Sequence, residues 1–205
     1  AGLAGCALAY ELSLRDGFEI EIFDKNSSVA ADASGNYAGI LAPNLTSDNN
    51  YSDQFHTMGF SLLTEFIEKY RSKLEICNYG VLEILSAEKD LQRYQRIFDR
   101  RDIHSSLAKL ISSDEASKLL ETQITSSAIY YPNAISLVPK SLCELWLELS
   151  DAKLNLNTEL LNISKKENNQ WNLKFSILKK NSVIPETDTK SLSLKNNKSF
   201  DIVIF

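Results

Sequence analysis

The sequence is short of the residues that make cross-links and metal cages. Its three cysteines, Cys6, Cys77 and Cys143, are odd in number, far apart and form no CxxC pair. That pattern argues against a disulfide framework or a structural zinc site, and a reducing, cytoplasmic setting is the expectation. The two histidines, His56 and His104, stand alone, so no metal centre is expected. No apolar run approaches the roughly 18 residues that would span a bilayer. The first residues show neither the basic region nor the cleavage pattern of a signal peptide, and no membrane partner is expected. Positive charge is not in excess either: a net charge of −5 argues against a chain dominated by a nucleic-acid footprint. A local basic patch remains compatible with that figure. Arg93, Arg96, Arg100 and Arg101 form one, although Glu88, Asp90, Asp99 and Asp102 offset much of it.

The length fits one domain, or one and a half smaller ones, and the apolar content is enough for a core. Residues 3–14 have helical spacing, with Leu3, Ala4, Ala7, Leu8 and Leu12 on one face. Gly17 is placed to stop that helix. In residues 18–24, FEIEIFD, apolar residues alternate with Glu19 and Glu21 as in a strand, with both glutamates facing solvent. Residues 31–50 are rich in small residues and lack a period, which predicts a long irregular connection of the kind that carries function. A helix is expected from Gln54, burying Phe55, Met58, Leu62, Phe66 and Tyr70. Residues 77–86 read as a strand, 87–102 as a charged helix, and Ser113 opens a capped short helix. Residues 128–138 read as strand pieces around a Pro132–Asn133 turn. Pro139 then starts an amphipathic helix. Two alternating strands follow, then a polar stretch, residues 183–199, that is hairpin-like or partly disordered. DIVIF, residues 201–205, has the composition of a buried central strand.

One constellation carries chemistry. Residues 1–5 read AGLAG, and Gly2 and Gly5 have the spacing of the second and third glycines of a dinucleotide-binding turn. In such a turn the start of the following helix offers unpaired N–H groups and a positive dipole to a pyrophosphate. About 20 residues further on, an acid should end the next strand and accept from the ribose hydroxyls. Asp24 stands there. The helix, the stop at Gly17, the strand and the acid together point to a dinucleotide site; glycines at a helix start that serve packing alone are the alternative.

Residues 27–43, SSVAADASGNYAGILAP, narrow the choice. Their pattern A-S-G-N-x-x-G-x-L-x-P resembles the flavin-binding segment of the D-amino-acid-oxidase-like (glycine/sarcosine oxidase) FAD flavoprotein family. The form ASGNYAGILAP is most similar to the branch of that family that oxidises 5-carboxymethylaminomethyl-uridine in tRNA. Residues 77–84 resemble the family's strand after its second long helix, residues 128–146 its aromatic-proline turn, short strand and proline-led helix, residues 156–175 its paired strands, and residues 201–205 the strand before its second flavin loop, so the likeness runs through nearly the whole chain.

The resemblance implies an α/β fold (α+β overall): a Rossmann-like FAD-binding βαβ domain with an inserted antiparallel-sheet substrate domain, truncated at both ends. The implied boundaries are 1–78 for the first part of the FAD-binding domain, 79–140 for part of the substrate domain, and 141–205 for the return with a β-hairpin extension. It implies FAD contacts at Gly2, Leu3, Ala4, Gly5, Asp24 and Lys25. In the small-residue loop it implies contacts at Ser34, Gly35, Asn36, Ala38, Gly39 and Ile40. The backbone of Leu160, in the strand starting at 158, would meet adenine. The implied reaction is FAD-dependent oxidation of a secondary amine, with the tRNA wobble uridine as substrate and a methyltransferase domain or partner acting on the product. A free small amino acid as substrate, and a non-catalytic FAD-binding module, are the alternatives. Tyr130, Tyr131 and Trp146 are each either substrate-orienting aromatics or core. No residue is singled out as catalytic.

Overall fold

The computed structural model describes residues 1–177 and 194–204. In chain order its elements are helix α1 (Leu3–Ser13), strands β1 (Glu21–Phe23) and β2 (Gly39–Leu41), helix α2 (Tyr51–Lys69), strand β3 (Ile76–Ile84), helix α3 (Glu88–Arg100), strand β4 (Lys109–Ile111), helix α4 (Ser113–Leu120), strand β5 (Ala128–Leu137), helix α5 (Pro139–Ser150), and strands β6 (Lys153–Asn155), β7 (Thr158–Lys165), β8 (Trp171–Ile177) and β9 (Leu194–Phe200). They form two compact units, Ala1–Asn36 with Pro139–Phe205, and Tyr37–Val138. Residues 37–78, grouped above with the FAD-binding part, stand in the second unit.

The first unit is a Rossmann-like arrangement. Strand β1 pairs in parallel with β6, Glu21 opposite Lys153 and Phe23 opposite Asn155. Helix α1 packs on α5 through small residues: Cys6 and Ala9 are its buried positions, and Cys143 is among those of α5. Leu3 and Ala4, expected on the buried face, are exposed instead; the buried face runs through Cys6 and Ala9. Gly17 ends the turn after α1 with φ +87°, a conformation that glycine adopts without strain. Strand β1 is shorter than the alternation of residues 18–24, and Phe18 lies outside it, exposed. Phe23 instead anchors it, stacked on Phe175 at 4.2 Å and edge-on to Phe200 at 5.8 Å. Glu21 does not simply face solvent: it accepts from Lys198 Nζ at 2.5 Å and Asn155 Nδ2 at 3.1 Å.

Strands β7, β8 and β9 form an antiparallel sheet in that order. The polar stretch read as hairpin-like or disordered divides: residues 183–193 lie outside the described residues, and the remainder belongs to β9. The reading of residues 201–205 as a buried strand is corrected. Residues 201–204 belong to no strand, and Ile202 is 63% exposed. A β-branched run becomes a central strand only when both its edges are paired, and no described strand pairs with it.

In the second unit β5 is the centre of an antiparallel sheet. Strand β3 covers one edge, while β4 and β2 share the other. Strand β4 pairs with residues 128–130 and β2 with residues 135–137. Pro132 and Asn133 fall in the gap between them, so the chain runs through them as one strand rather than turning; the missing N–H of proline breaks no ladder there. Opposite them β3 bulges between Tyr79 and Val81. Gly80 sits in that bulge at φ +79°, where a Cβ would meet the Tyr130 hydroxyl at 3.0 Å.

Helix α2 is rotated from its expected face. Its buried residues are Asp53, Phe60 and Ile67, and Phe55 is 75% exposed. The cause is Asp53, only 1% exposed, which accepts from Arg101 Nη1 at 2.6 Å and from the amide of Thr46. This clasp fixes which side of the helix faces inward. Helix α4 carries the expected cap, one residue earlier than read: Ser112 and Glu115 form a reciprocal capping box. The main core of this unit gathers Leu45, Leu85, Tyr94, Ile97, Ile129 and Tyr131 between α3 and the sheet.

Candidate functional site

The start of α1 leaves backbone amides without helical partners. Gly2 is its N-cap, no side chain fills the cap position, and Cys6 N–H donates the first helical bond to Gly2 O at 3.0 Å. The amides of residues 3–5 therefore have no helical carbonyl to bond. One of them, Leu3 N–H, donates to Ser34 Oγ at 3.1 Å. The loop that delivers Ser34 is wound tightly. Ala30 N–H donates to Ala1 O at 2.9 Å, Asn26 Nδ2 to Asp32 Oδ2 at 2.9 Å, and Gly35 N–H to Asp32 O at 2.8 Å. A Cβ at Gly35 would meet Ala30 O at 2.5 Å, so this glycine is demanded by its own loop.

Gly2 is demanded by space rather than conformation. Its φ of −96° suits any residue, but a Cβ there would meet Ser34 Oγ at 2.9 Å. Nothing described lies within 4 Å of a Cβ at Gly5, which leaves the surface in front of the helix clear. Asp24 stands directly after β1 and accepts from Asn26 N–H at 2.8 Å. Its carboxylate lies close to the helix start, as a ribose diol requires. Lys25 beside it is exposed. Thr158 N–H donates to Asp24 O at 2.8 Å, which draws the start of β7, with half-buried Leu160, to the same corner. The outer edge of β7 is unpaired among the described residues. Asn36 is exposed and donates to Ala33 O at 3.2 Å. A narrow glycine, a helix start whose amides at residues 4 and 5 have no helical partner, and a nearby acid fit a dinucleotide such as FAD.

Ala38, Gly39 and Ile40 belong to the second unit, at the edge strand β2, with Ile40 opposite Ser136 and its side chain exposed. Beside them lies an open cavity of about 430 Å³. On its wall Tyr94 and Tyr131, both buried, direct their hydroxyls to Glu83 Oε2, at 2.6 and 3.2 Å, and lie 3.1 Å from each other. Burial, then the neighbouring hydroxyl and carboxylate, push the Tyr131 phenol far up its scale, and burial with Glu83 raises Tyr94, so both act as neutral donors. This cluster left no trace in the sequence, where its members are separated by 11 and 37 residues. Tyr130 lies against Gly80, and Trp146 is buried in α5. The basic patch is divided: Arg101 pairs with Asp53, Arg93 stacks over Tyr94 at 5.2 Å, and Arg96 donates to Gln92 O at 3.2 Å. Among the described residues no group of three or more His, Cys, Asp or Glu is placed to hold a metal ion, and no helix is long and apolar enough to cross a membrane.

The model of the FAD dependent oxidoreductase family (DAO) matches residues 1–185. The chain belongs to that family. FAD is the family's cofactor. A relative from Hydrogenovibrio crunogenus, the tRNA 5-methylaminomethyl-2-thiouridine biosynthesis bifunctional protein MnmC, is 30% identical over 144 residues, 69% of this chain and 21% of the relative. The protein of the same description from Burkholderia orbicola is 28% identical over 146 residues, 70% of this chain and 23% of its own length. The chain thus spans about a fifth of the curated relatives it matches. Glycine oxidase from Geobacillus kaustophilus shares the fold with a TM-score of 0.69 at 18% identity, covering 85% of this chain and 49% of that one. L-alpha-glycerophosphate oxidase from Mycoplasma pneumoniae, solved with FAD bound, does so at a TM-score of 0.63 and 19% identity, over 84% of this chain and 47% of that one.

Replacing Asp24 with asparagine keeps its shape and removes its charge. A charged acceptor for two hydroxyls is worth about 1.5–3 kcal/mol per hydrogen bond. FAD affinity of the full-length protein should fall at least tenfold, measured by titrating apoprotein with FAD; unchanged affinity removes Asp24 from the site.

Proposed function

We propose that the protein containing this chain oxidises the C–N bond of a secondary amine with FAD, the amine being the carboxymethylaminomethyl group on the wobble uridine of tRNA. The observation that carries the reading is the open seat formed by Gly2, Ser34 and Asp24 at the start of α1, in a chain whose curated relatives are the MnmC proteins. Bound FAD supplies a hydride acceptor for the carbon next to nitrogen; with one water, the substrate then gives glyoxylate and aminomethyluridine. The chain's own residues hold the cofactor. The helix start binds pyrophosphate with N–H groups, Asp24 accepts from the ribose, and the backbone of β7 near Leu160 meets adenine. Ala38, Gly39 and Ile40 offer an unencumbered edge strand to the flavin. On this reading Ala1–Asn36 with Pro139–Phe205 is the FAD-binding part and Tyr37–Val138 the substrate side. A methyltransferase domain or partner would act on the aminomethyl product. The same site on a free small amino acid is the competing reading, favoured by the small cavity of the second unit.

The purified full-length protein decides between them. Glyoxylate should appear with tRNA carrying the carboxymethylaminomethyl group and not with glycine. Release from glycine and not from tRNA overturns the assignment.

A further inference from the structure

Charge is segregated along the chain. The whole sequence carries −5, yet from Lys153 to Phe200 it holds nine lysines against four acids. The described residues of that segment build β6 and the sheet β7–β8–β9. The sheet has two unlike faces. On one, Leu173 and Phe175 are buried, and Phe175 stacks on Phe23. On the other, two rows run across all three strands: Ser164, Asn172 and Ser199, then Asn162, Lys174 and Asn197. Their members on β7 and β9 are exposed, and the two on β8 are half-buried. Lys166 reaches over the first row, where its Nζ donates to Ser199 Oγ at 2.5 Å. Neither row holds a carboxylate or an apolar side chain. Lys174 has no acid partner among the described residues, whereas Lys153 and Lys198 both turn to Glu21. The nearest acids in the chain stand apart from the two rows: Glu159 lies opposite buried Ser176, and Glu167 follows the end of β7.

We propose that this face of the β7–β8–β9 sheet binds the phosphate backbone of tRNA. Lysine, serine and asparagine are among the side chains that supply contacts to phosphate and sugar oxygens, and here they stand together without an opposing charge. A surface that serves solubility alone mixes both signs. A surface for an anionic membrane adds apolar groups that enter the bilayer, and these rows have none. No aromatic side chain stands in either row, so bases are not stacked on this sheet. Binding here is therefore electrostatic and indifferent to base sequence. The proposal rests on the reading of tRNA as the substrate and names the surface of this chain that meets it.

Fluorescence anisotropy with the full-length holoenzyme and an unmodified tRNA transcript, between about 50 and 200 mM KCl, tests it. Each phosphate contact contributes roughly 0.7–0.9 to the slope of log affinity against log salt. Lys166→Gln combined with Lys174→Gln should weaken tRNA binding about tenfold at the lower salt and make that slope shallower by about 1.5. Lys140→Gln, at an exposed lysine of α5, should change neither. FAD content and thermal midpoint matching the wild type show that the double variant is folded. Should it not be, Lys174→Gln alone carries the test, with a slope change of about 0.8. Wild-type affinity and slope in the variant overturn the proposal, as does wild-type protein that binds phosphatidylserine vesicles and no tRNA. Glyoxylate from modified tRNA, with an unchanged slope in the variant, removes this surface and keeps the oxidation reading. A shallower slope in the variant, without glyoxylate from any substrate, sinks the oxidation reading and keeps the surface.

Discussion

Gly2→Val is expected to lower FAD affinity by about a hundredfold, ~2.8 kcal/mol at 1.4 kcal/mol per tenfold. Valine accepts a φ of −96°, so the backbone is not the obstacle. The obstacle is Ser34 Oγ, 2.9 Å from where the new Cβ would stand. That oxygen cannot move away freely, because it accepts from Leu3 N–H at 3.1 Å. If the serine turns aside, that bond is lost and the loop no longer holds the helix start. If it stays, the valine methyls are pushed over the free amides of the first turn, into the place a pyrophosphate needs. Gly2→Ala adds a single methyl and should cost about tenfold. The readout is the FAD-to-protein ratio after purification together with the affinity of the apoprotein. A thermal midpoint of the apoprotein within a few degrees of wild type separates loss of the seat from loss of the fold. Wild-type FAD content in the valine variant would take Gly2 out of the cofactor site.

The second large effect is on stability. Asp53→Ala should destabilise the second unit by about 3 kcal/mol at neutral pH, the range for removing one member of a buried ion pair. Asp53 is 1% exposed and gathers Arg101, the amide of Thr46 and the hydroxyl of Thr57 at 3.2 Å. Its loss strands the Arg101 guanidinium, which is left with Thr46 O and Asn49 Oδ1. Burial alone would raise the pKa of Asp53; Arg101 and the Thr46 amide outweigh it and lower the value below that of the unfolded chain. A depressed folded pKa means the stabilisation is complete above the unfolded carboxylate value, about 3.9, and fades as pH falls through the folded one. Urea unfolding at pH 7 and near pH 3 should show a wide gap between wild type and variant at the higher pH and a narrow one at the lower. Equal stability at pH 7 would show that the clasp contributes nothing.

What the sequence disclosed and what it hid divide along a physical line. Helices α1, α4 and α5 were legible because their signals are local: Gly17 after the first, the Ser112–Glu115 box at the second, Pro139 at the third. The irregular connection read over residues 31–50 holds at residues 31–36, where small residues in a polar run have few other uses, but strand β2 interrupts it at Gly39–Leu41. Where a distant partner decides, the pattern misled. The apolar stripe of Phe55, Met58 and Leu62 points outward because Arg101, 48 residues from Asp53, claims the opposite face. Pro132 looked like a turn because nothing local reveals that β4 and β2 leave a gap there. Glu83, Tyr94 and Tyr131 meet only once α3 lies on the sheet. Of the residues proposed to hold the cofactor, Gly2, Ser34 and Asp24 are drawn together within the first unit, whereas Ala38, Gly39 and Ile40 belong to the second.

The parallel pairing of β1 with β6 has a consequence for synthesis. A ribosome makes the chain from its amino end, so β1 emerges without a partner, and α1 without the helix it packs on. Neither contact exists until residues 139–155 have followed. The unit Tyr37–Val138 is contiguous, and its described strands β2 to β5 are all available by then. Within this sequence the first unit is therefore joined up after the second.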